Sequence, residues 1–136
     1  YSRPVVFAAG APVSGLTLEW MYRDCDTPAP IPLFEIHGTE DRTSAWEGDL
    51  ENKGGWGAYL PVEIAVGYWV AANRCVREQT DTLALRRHPV VAHRFVGGTG
   101  GNEVWLYEVV DGGHSWAEKD MDTSEEIWRF FGRFVK

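Results

Sequence analysis

"NEVWLYEVVDGGHSW", residues 102–116, decides how this chain is read. Valines and aromatics crowd the run from Glu103 to Val110, the composition of a β-strand. Asp111 and the Gly112–Gly113 pair then break it, leaving His114 on the loop beyond. Upstream, "VVAHRFV" at 90–96 is equally β-rich, and "GGTGGN" at 97–102 lies between the two runs. A glycine loop joining two strands is the expected reading. No G-x-x-x-x-G-K-[ST] string is present and a strand follows the glycines, which argues against a phosphate cradle.

The same design recurs earlier. "IPLFEIHG", 31–38, places Leu33, Phe34 and Ile36 in an apolar run that stops at Gly38. "PVVFAAGAPVSG", 4–15, is an apolar run consistent with a buried first strand near Val5 to Pro12, with a short helix left open by periodicity alone. Between 39 and 61 the chain is polar and glycine-rich, with Trp46, Trp56 and Tyr59 scattered through it. Long loops of this kind inside compact domains are usually functional or mobile. "PVEIAVGYWVAANRC", 61–75, sets Pro61 at a first helical position and Val62, Ala65, Val66 and Trp69 at helical spacing, predicting a helix that ends near Asn73. "VREQTDTLALRRH", 76–88, is polar and predicts no element. In "TSEEIWRFFGRFVK", 123–136, Thr123 stands three residues before Glu126 as a capping box, and Ile127, Phe130, Phe131 and Phe134 share one helical face. A terminal helix packed on a sheet follows. Strands ending in glycine loops, with helices between and after, give an α/β sheet. Ligands of such sheets bind beyond the carboxyl ends of the strands, which singles out the loops that begin at Gly38 and Asp111.

At 136 residues and 44% hydrophobic, the chain fits one domain or part of one. Thirteen Lys and Arg against 20 Asp and Glu give a net charge of −7, which repels phosphate backbones and anionic lipid. Nucleic acid is therefore not an expected partner. No apolar stretch approaches the roughly 18 residues that cross a bilayer, so no membrane partner is expected either. "YSRPVVFAAG" carries neither an initiating methionine nor a basic leader, so the expectation is a mature product or an excised piece. Cys25 and Cys75 are too few for a disulfide scaffold and too far apart for a C-x-x-C motif. They could pair once, a link worth about 4 kcal/mol on a chain-entropy model, or stay as two buried thiols. Spacing leaves both open.

Two residues near the opening stretch could do chemistry. Gly113 to Ala117 spells Gly-x-Ser-x-Ala, but a nucleophile elbow needs a helix directly after its serine, and the acid and histidine must follow it. The helix waits until about residue 124, and no histidine follows Ser115. Ser115 is therefore rejected as a nucleophile. His114 fits better. A triad histidine rides a loop, so that one ring nitrogen reaches a serine while the other donates to a buried carboxylate that fixes its tautomer. The acid should follow an earlier strand, and Asp41 lies three residues past Gly38, giving the order Asp41 then His114.

"PLFEIHGTED", "AVGYWVAANRC", "GGNEVWLYEVVDGGHSW" and "DMDTSEEIWRFF" resemble, in order, blocks of the polyhydroxybutyrate depolymerase and feruloyl esterase group of secreted α/β-hydrolases. "FAAGAPVSG" resembles the strand after that group's nucleophile helix, and residues 42–59 are the least similar part. The resemblance implies the C-terminal half of an α/β-hydrolase fold over 1–136, a mostly parallel sheet with flanking helices. It implies Asp41 as triad acid, His114 as general base, Trp116 as a wall of the site and a Cys25–Cys75 disulfide. His37 is read as structural. The implied function is a secreted, extracellular or periplasmic serine carboxylesterase cleaving polyester or aromatic plant-wall esters, with no cofactor. The nucleophile and oxyanion loop would lie upstream, since Ser2, Ser14 and Ser44 lack elbow context and Ser124 opens the last helix. The first strand would then need the missing half or a neighbouring chain to cover it. The competing expectation is a non-catalytic polymer-binding module, or an inactive esterase fragment, stacking a ligand on Trp46, Trp56 and Trp116. A metal site from His37, Asp41 and His114 is a third, against which no ligand-spacing motif speaks in its favour.

Overall fold

A computed structural model of the chain describes residues 7–25, 29–83 and 86–135. In chain order the elements are α1 (Glu19–Asp24), β1 (Leu33–Gly38), α2 (Val62–Asn73), β2 (Arg77–Leu83), β3 (Val90–Val96), β4 (Val104–Val109) and α3 (Thr123–Phe134), with a 3-10 turn at Thr99–Gly101. The four strands form one sheet in the order β1-β4-β3-β2.

The α/β class holds, but the expected mostly parallel sheet does not. β1 runs parallel to β4, whereas β4–β3 and β3–β2 are antiparallel. Connection length is the cause. Parallel neighbours need a crossover of a dozen or more residues, while short loops only reverse the chain. Among the described residues, only the β1–β4 pair has a helix between its strands to make that crossover; the glycine loop at 97–103 and the six residues between Leu83 and Val90 are too short for one. β2 escaped the sequence reading because Arg77 to Thr82 are all exposed, so it shows no apolar alternation. Its pairing comes from the ladder to β3, from Arg77 opposite Val96 to Leu83 opposite Val90.

The expected first strand survives as a short stretch. Residues 10–13 lie parallel to β1 through bridges at Gly10–Leu33 and Val13–Ile36, with Phe34 N–H donating to the Gly10 carbonyl at 2.9 Å. Val5 and Val6, also assigned to that strand, lie outside the described residues.

Alternation along β1 and β4 builds two cores. Phe34 and Ile36 of β1 point, with Trp105, Tyr107 and Val109 of β4, to the side where α3 delivers Phe130. Phe34, Tyr107 and Phe130 are fully buried, and the Phe34 ring meets Tyr107 edge-on at 4.5 Å and Phe130 at 5.3 Å. Ile127, Phe131 and Phe134 flank Phe130, as the helical face predicts. On the other side Leu33, Val104 and Leu106 receive Val62 and Val66 of α2. Each such side chain taken fully from water contributes about 1.5–3 kcal/mol.

The helix ends need two adjustments. Asp122, not Thr123, caps α3, its carboxylate accepting from Glu125 N–H at 3.1 Å. Thr123 is buried inside the first turn and donates its hydroxyl proton to the Trp116 carbonyl at 2.6 Å. Pro61 is the N-cap of α2 rather than its first residue, and α2 stops where Arg74 turns left-handed at φ 56°.

The expected disulfide is absent, since Cys25 and Cys75 are both free thiols. Cys25 ends α1 and its carbonyl accepts from the Tyr68 hydroxyl. Cys75 lies just past α2, packed with the Val62–Val66–Leu106 cluster. Among the described residues, no helix is long and apolar enough to cross a membrane.

Candidate active site

Parallel pairing puts the carboxyl ends of β1 and β4 side by side, with Gly38 opposite Val109. The loops leaving these two ends are laced together. Thr39 N–H donates to the Val109 carbonyl at 3.0 Å and Glu40 N–H to the Gly112 carbonyl at 2.9 Å. The Thr39 hydroxyl accepts from Asp111 N–H at 2.9 Å. Gly38 is required here, because a Cβ at this position would stand 2.2 Å from the Gly112 carbonyl oxygen. The two loops can therefore approach closely enough to bring residues 41 and 114 together.

Asp41 and His114, separated by 73 positions in the chain, meet there: His114 Nδ1 lies 2.9 Å from Asp41 Oδ2. The two carboxylate oxygens divide their work. Oδ1 accepts from Thr43 N–H and Ser44 N–H, both at 2.8 Å, which folds the start of the long loop around the carboxylate. Oδ2 is left for the imidazole. Burial alone would push the Asp41 carboxyl up, but the Ser44 and Thr43 amides and the His114 contact outweigh it and hold it below the ordinary aspartate value. Asp41 is thus a buried, ionised acceptor, and its partner nitrogen is Nδ1–H. The Asp41 side chain has no exposure, whereas His114 is 47% exposed. His114 Nε2 has no hydrogen-bond partner among the described residues and is the nitrogen available to a substrate or nucleophile.

Behind the pair lies a second histidine, and this one is buried. His37 belongs to β1 itself and is 1% exposed. Its Nδ1 contacts Glu35 Oε1 at 2.8 Å, and its Nε2 donates to the Ser44 carbonyl at 2.7 Å. Glu35 Oε1 also accepts from Gly15 N–H at 3.1 Å. Burial works against charge on His37, yet the Glu35 and Ser44 hydrogen bonds outweigh it and raise its pKa. Burial also pushes the Glu35 carboxyl up, only partly offset by His37. Glu35, Gly15 and Ser44 were not expected at the site. Strand alternation was the available signal: Glu35 and His37 sit at i and i+2, on the same face as Leu33.

The tryptophans are dispersed. Trp116 follows His114 by two residues and is 49% exposed. Trp46 is not an open wall: it packs into the α2-side core and meets the His37 ring edge-on at 6.0 Å. Trp56 is 69% exposed on the long loop, over an open depression that Arg42, Asp49, Leu50 and Tyr59 help line. That loop is internally ordered, with Asp49 accepting from Lys53 N–H and Gly54 N–H at 3.0 and 2.8 Å and pairing with Tyr59. The three-residue metal site is not formed. Both ring nitrogens of His37 are already engaged, and among the described residues no group of three His, Cys, Asp or Glu side chains is arranged to hold a metal ion.

A scan against protein-family models finds no match, and a search of curated proteins finds no similar sequence. The functional reading therefore stands on the residues and their geometry.

Proposed function

We propose that the chain is the C-terminal half of an α/β-hydrolase domain of the polyhydroxybutyrate depolymerase and feruloyl esterase group. Its work would be to supply the acid and base of a serine carboxylesterase. The observation that carries this reading is the 2.9 Å contact between buried Asp41 and loop-borne His114, with Nε2 left open at the rim. A serine from the upstream half attacks the ester carbonyl while His114 Nε2 takes its proton. The imidazolium, steadied by Asp41, then gives that proton to the departing alcohol. Water repeats the sequence on the acyl-enzyme and frees the acid. The substrate class is a polyester or an aromatic plant-wall ester, Trp116 lies beside the reacting centre, no cofactor takes part, and the enzyme acts outside the cytoplasm.

The test is to express the chain joined to its upstream coding sequence and to assay p-nitrophenyl ester turnover and labelling by a fluorophosphonate probe. Turnover and labelling that both vanish in His114→Ala support the reading. An intact, folded product that neither turns over an ester nor takes the probe contradicts it.

A second reading rests on the exposure of Trp56 and Trp116, 69% and 49%. Such rings could stack on a polymer without catalysis. Binding of xylan or polyester particles that is unchanged by His114→Ala and lost in Trp56→Ala would favour this binding module.

A further inference from the structure

The Asp41–His114 contact depends on a loop only a few residues long, and that loop is held from beneath by a group the reaction never touches. We propose that His37, clamped between Glu35 and the Ser44 carbonyl, is a positioning residue that fixes the loop at 41–44 and so aims Asp41 at His114. The inference deepens the reading above and rests on it for the role of His114.

Ser44 is the joint. Its N–H donates to Asp41 Oδ1 at 2.8 Å, and its carbonyl accepts from His37 Nε2 at 2.7 Å. One residue is thus gripped at both ends, by the acid on one side and by the strand on the other. Because Oδ1 is committed to the Thr43 and Ser44 amides, the direction of Oδ2 follows the loop backbone. Any tilt of residues 43–44 swings Oδ2 relative to His114 Nδ1.

His37 can act as a fixed point because its own orientation is determined. A carbonyl oxygen only accepts, so Nε2 must carry a proton. Nδ1 faces Glu35 Oε1, which also receives Gly15 N–H, so the Glu35–His37 contact holds one proton between its two atoms. The Trp46 ring meets the imidazole edge-on at 6.0 Å. The imidazole also stands 3.6 Å from Asp41 Oδ2, too far to hydrogen-bond but close enough to favour its negative charge. Desolvating a carboxyl and an imidazole costs several kcal/mol. Apolar side chains of the same size would fill the volume without that cost, and they could not grip Ser44.

The test reads the geometry directly, without turnover. His114 Nδ1–H, bonded to the buried Asp41 carboxylate, should give a low-field proton resonance, assigned by its disappearance in His114→Ala. Long-range nitrogen correlations should show the Nδ1–H tautomer. In His37→Phe the inference predicts loss of that resonance and a mixed His114 tautomer, while the methyl shifts of Val90 and Val109 in the α3-side core stay in place. His37→Gln, which keeps a donor for the Ser44 carbonyl, should restore the resonance at least in part. A folded His37→Phe chain with the resonance and tautomer unchanged would overturn the inference. If His37→Phe does not fold, Glu35→Gln carries the same test: broadening or loss supports the clamp, and an unchanged signal overturns it. A wild-type chain lacking the resonance altogether would remove the Asp41–His114 pair, and the esterase reading with it. A resonance that responds to His37 in a longer product with no esterase activity would leave the clamp standing and overturn the esterase reading alone.

Discussion

Two aspartate–histidine pairs sit on the same rim of the sheet, and they are built for different ends. In one, His114 Nδ1 meets Asp41 Oδ2 at 2.9 Å; in the other, His88 Nδ1 meets Asp120 Oδ1 at 2.8 Å. Asp120 Oδ1 also accepts His88 N–H at 3.0 Å, so a single oxygen binds the backbone and ring of the same residue. Around it, Arg87 N–H donates to the Lys119 carbonyl. The His88 pair thus staples the turn before β3 to the loop before α3. Asp41 instead spends one oxygen on its own loop and offers the other to a histidine from a different loop. His114 is 47% exposed against 24% for His88, and it stands beyond the carboxyl ends of the two parallel strands. A short contact between the two residue types does not make a catalytic pair. What matters is whether the carboxylate is fixed independently and whether the far nitrogen faces open space.

The sharpest way to break this comparison is Asp41→Asn in the proposed esterase, the chain joined to its upstream coding sequence. It preserves shape but favours the wrong tautomer of His114, and kcat should fall by roughly 10⁴ with the fold retained. A loss below about tenfold in ester turnover would place Asp41 among the staples. Next in size is Gly38→Ala, which drives a methyl into the Gly112 backbone and forces the laced loops apart. Urea unfolding should show about 1–3 kcal/mol lost, and His114 should lose its Asp41 contact. His88→Ala should act on stability alone, costing about 1.5–3 kcal/mol through the hydrogen bond to a charged group, with turnover little changed. Asp122→Ala removes the α3 cap, two residues beyond Asp120, and should cost about 1 kcal/mol.

The smallest effect is on the pH dependence of stability. His37 and His93 both ionise at higher pH in the fold than the ordinary histidine value of 6.5, burial being outweighed by their hydrogen bonds. Glu35 and the Ser44 carbonyl do this for His37, and Glu108 and Glu78 for His93. A group raised on folding contributes fully below its unfolded value, and the contribution is lost as pH rises through the folded one. Stability should therefore decline above about pH 6.5, and His93→Gln should flatten part of that slope in urea titrations. Asp41 has the opposite sign: its contribution is present above about pH 3.8 and lost as pH falls through its lowered folded value.

Much of this was legible in the sequence because it was local. The apolar runs of β1 and β4 end in glycine, and the aromatic face of α3 has a 3.6-residue period. These features placed Asp41 and His114 on neighbouring loops. What escaped depends on partners outside each segment's own residue pattern. β2 exists only through its ladder to β3, so its own polar residues carry no strand signal. The sheet's sense followed connection lengths rather than the family resemblance. Glu35 and His37 were visible as same-face neighbours, but their role depends on the Ser44 carbonyl, which only the folded long loop brings within reach.

The most direct trial of the account compares two alanine variants, His114→Ala and His88→Ala, in the proposed esterase under one ester assay. The account predicts that His114→Ala lowers kcat by at least about 10³ with near-normal stability, while His88→Ala keeps turnover within tenfold and loses stability. The reverse pattern, with turnover following His88 and indifferent to His114, would contradict it.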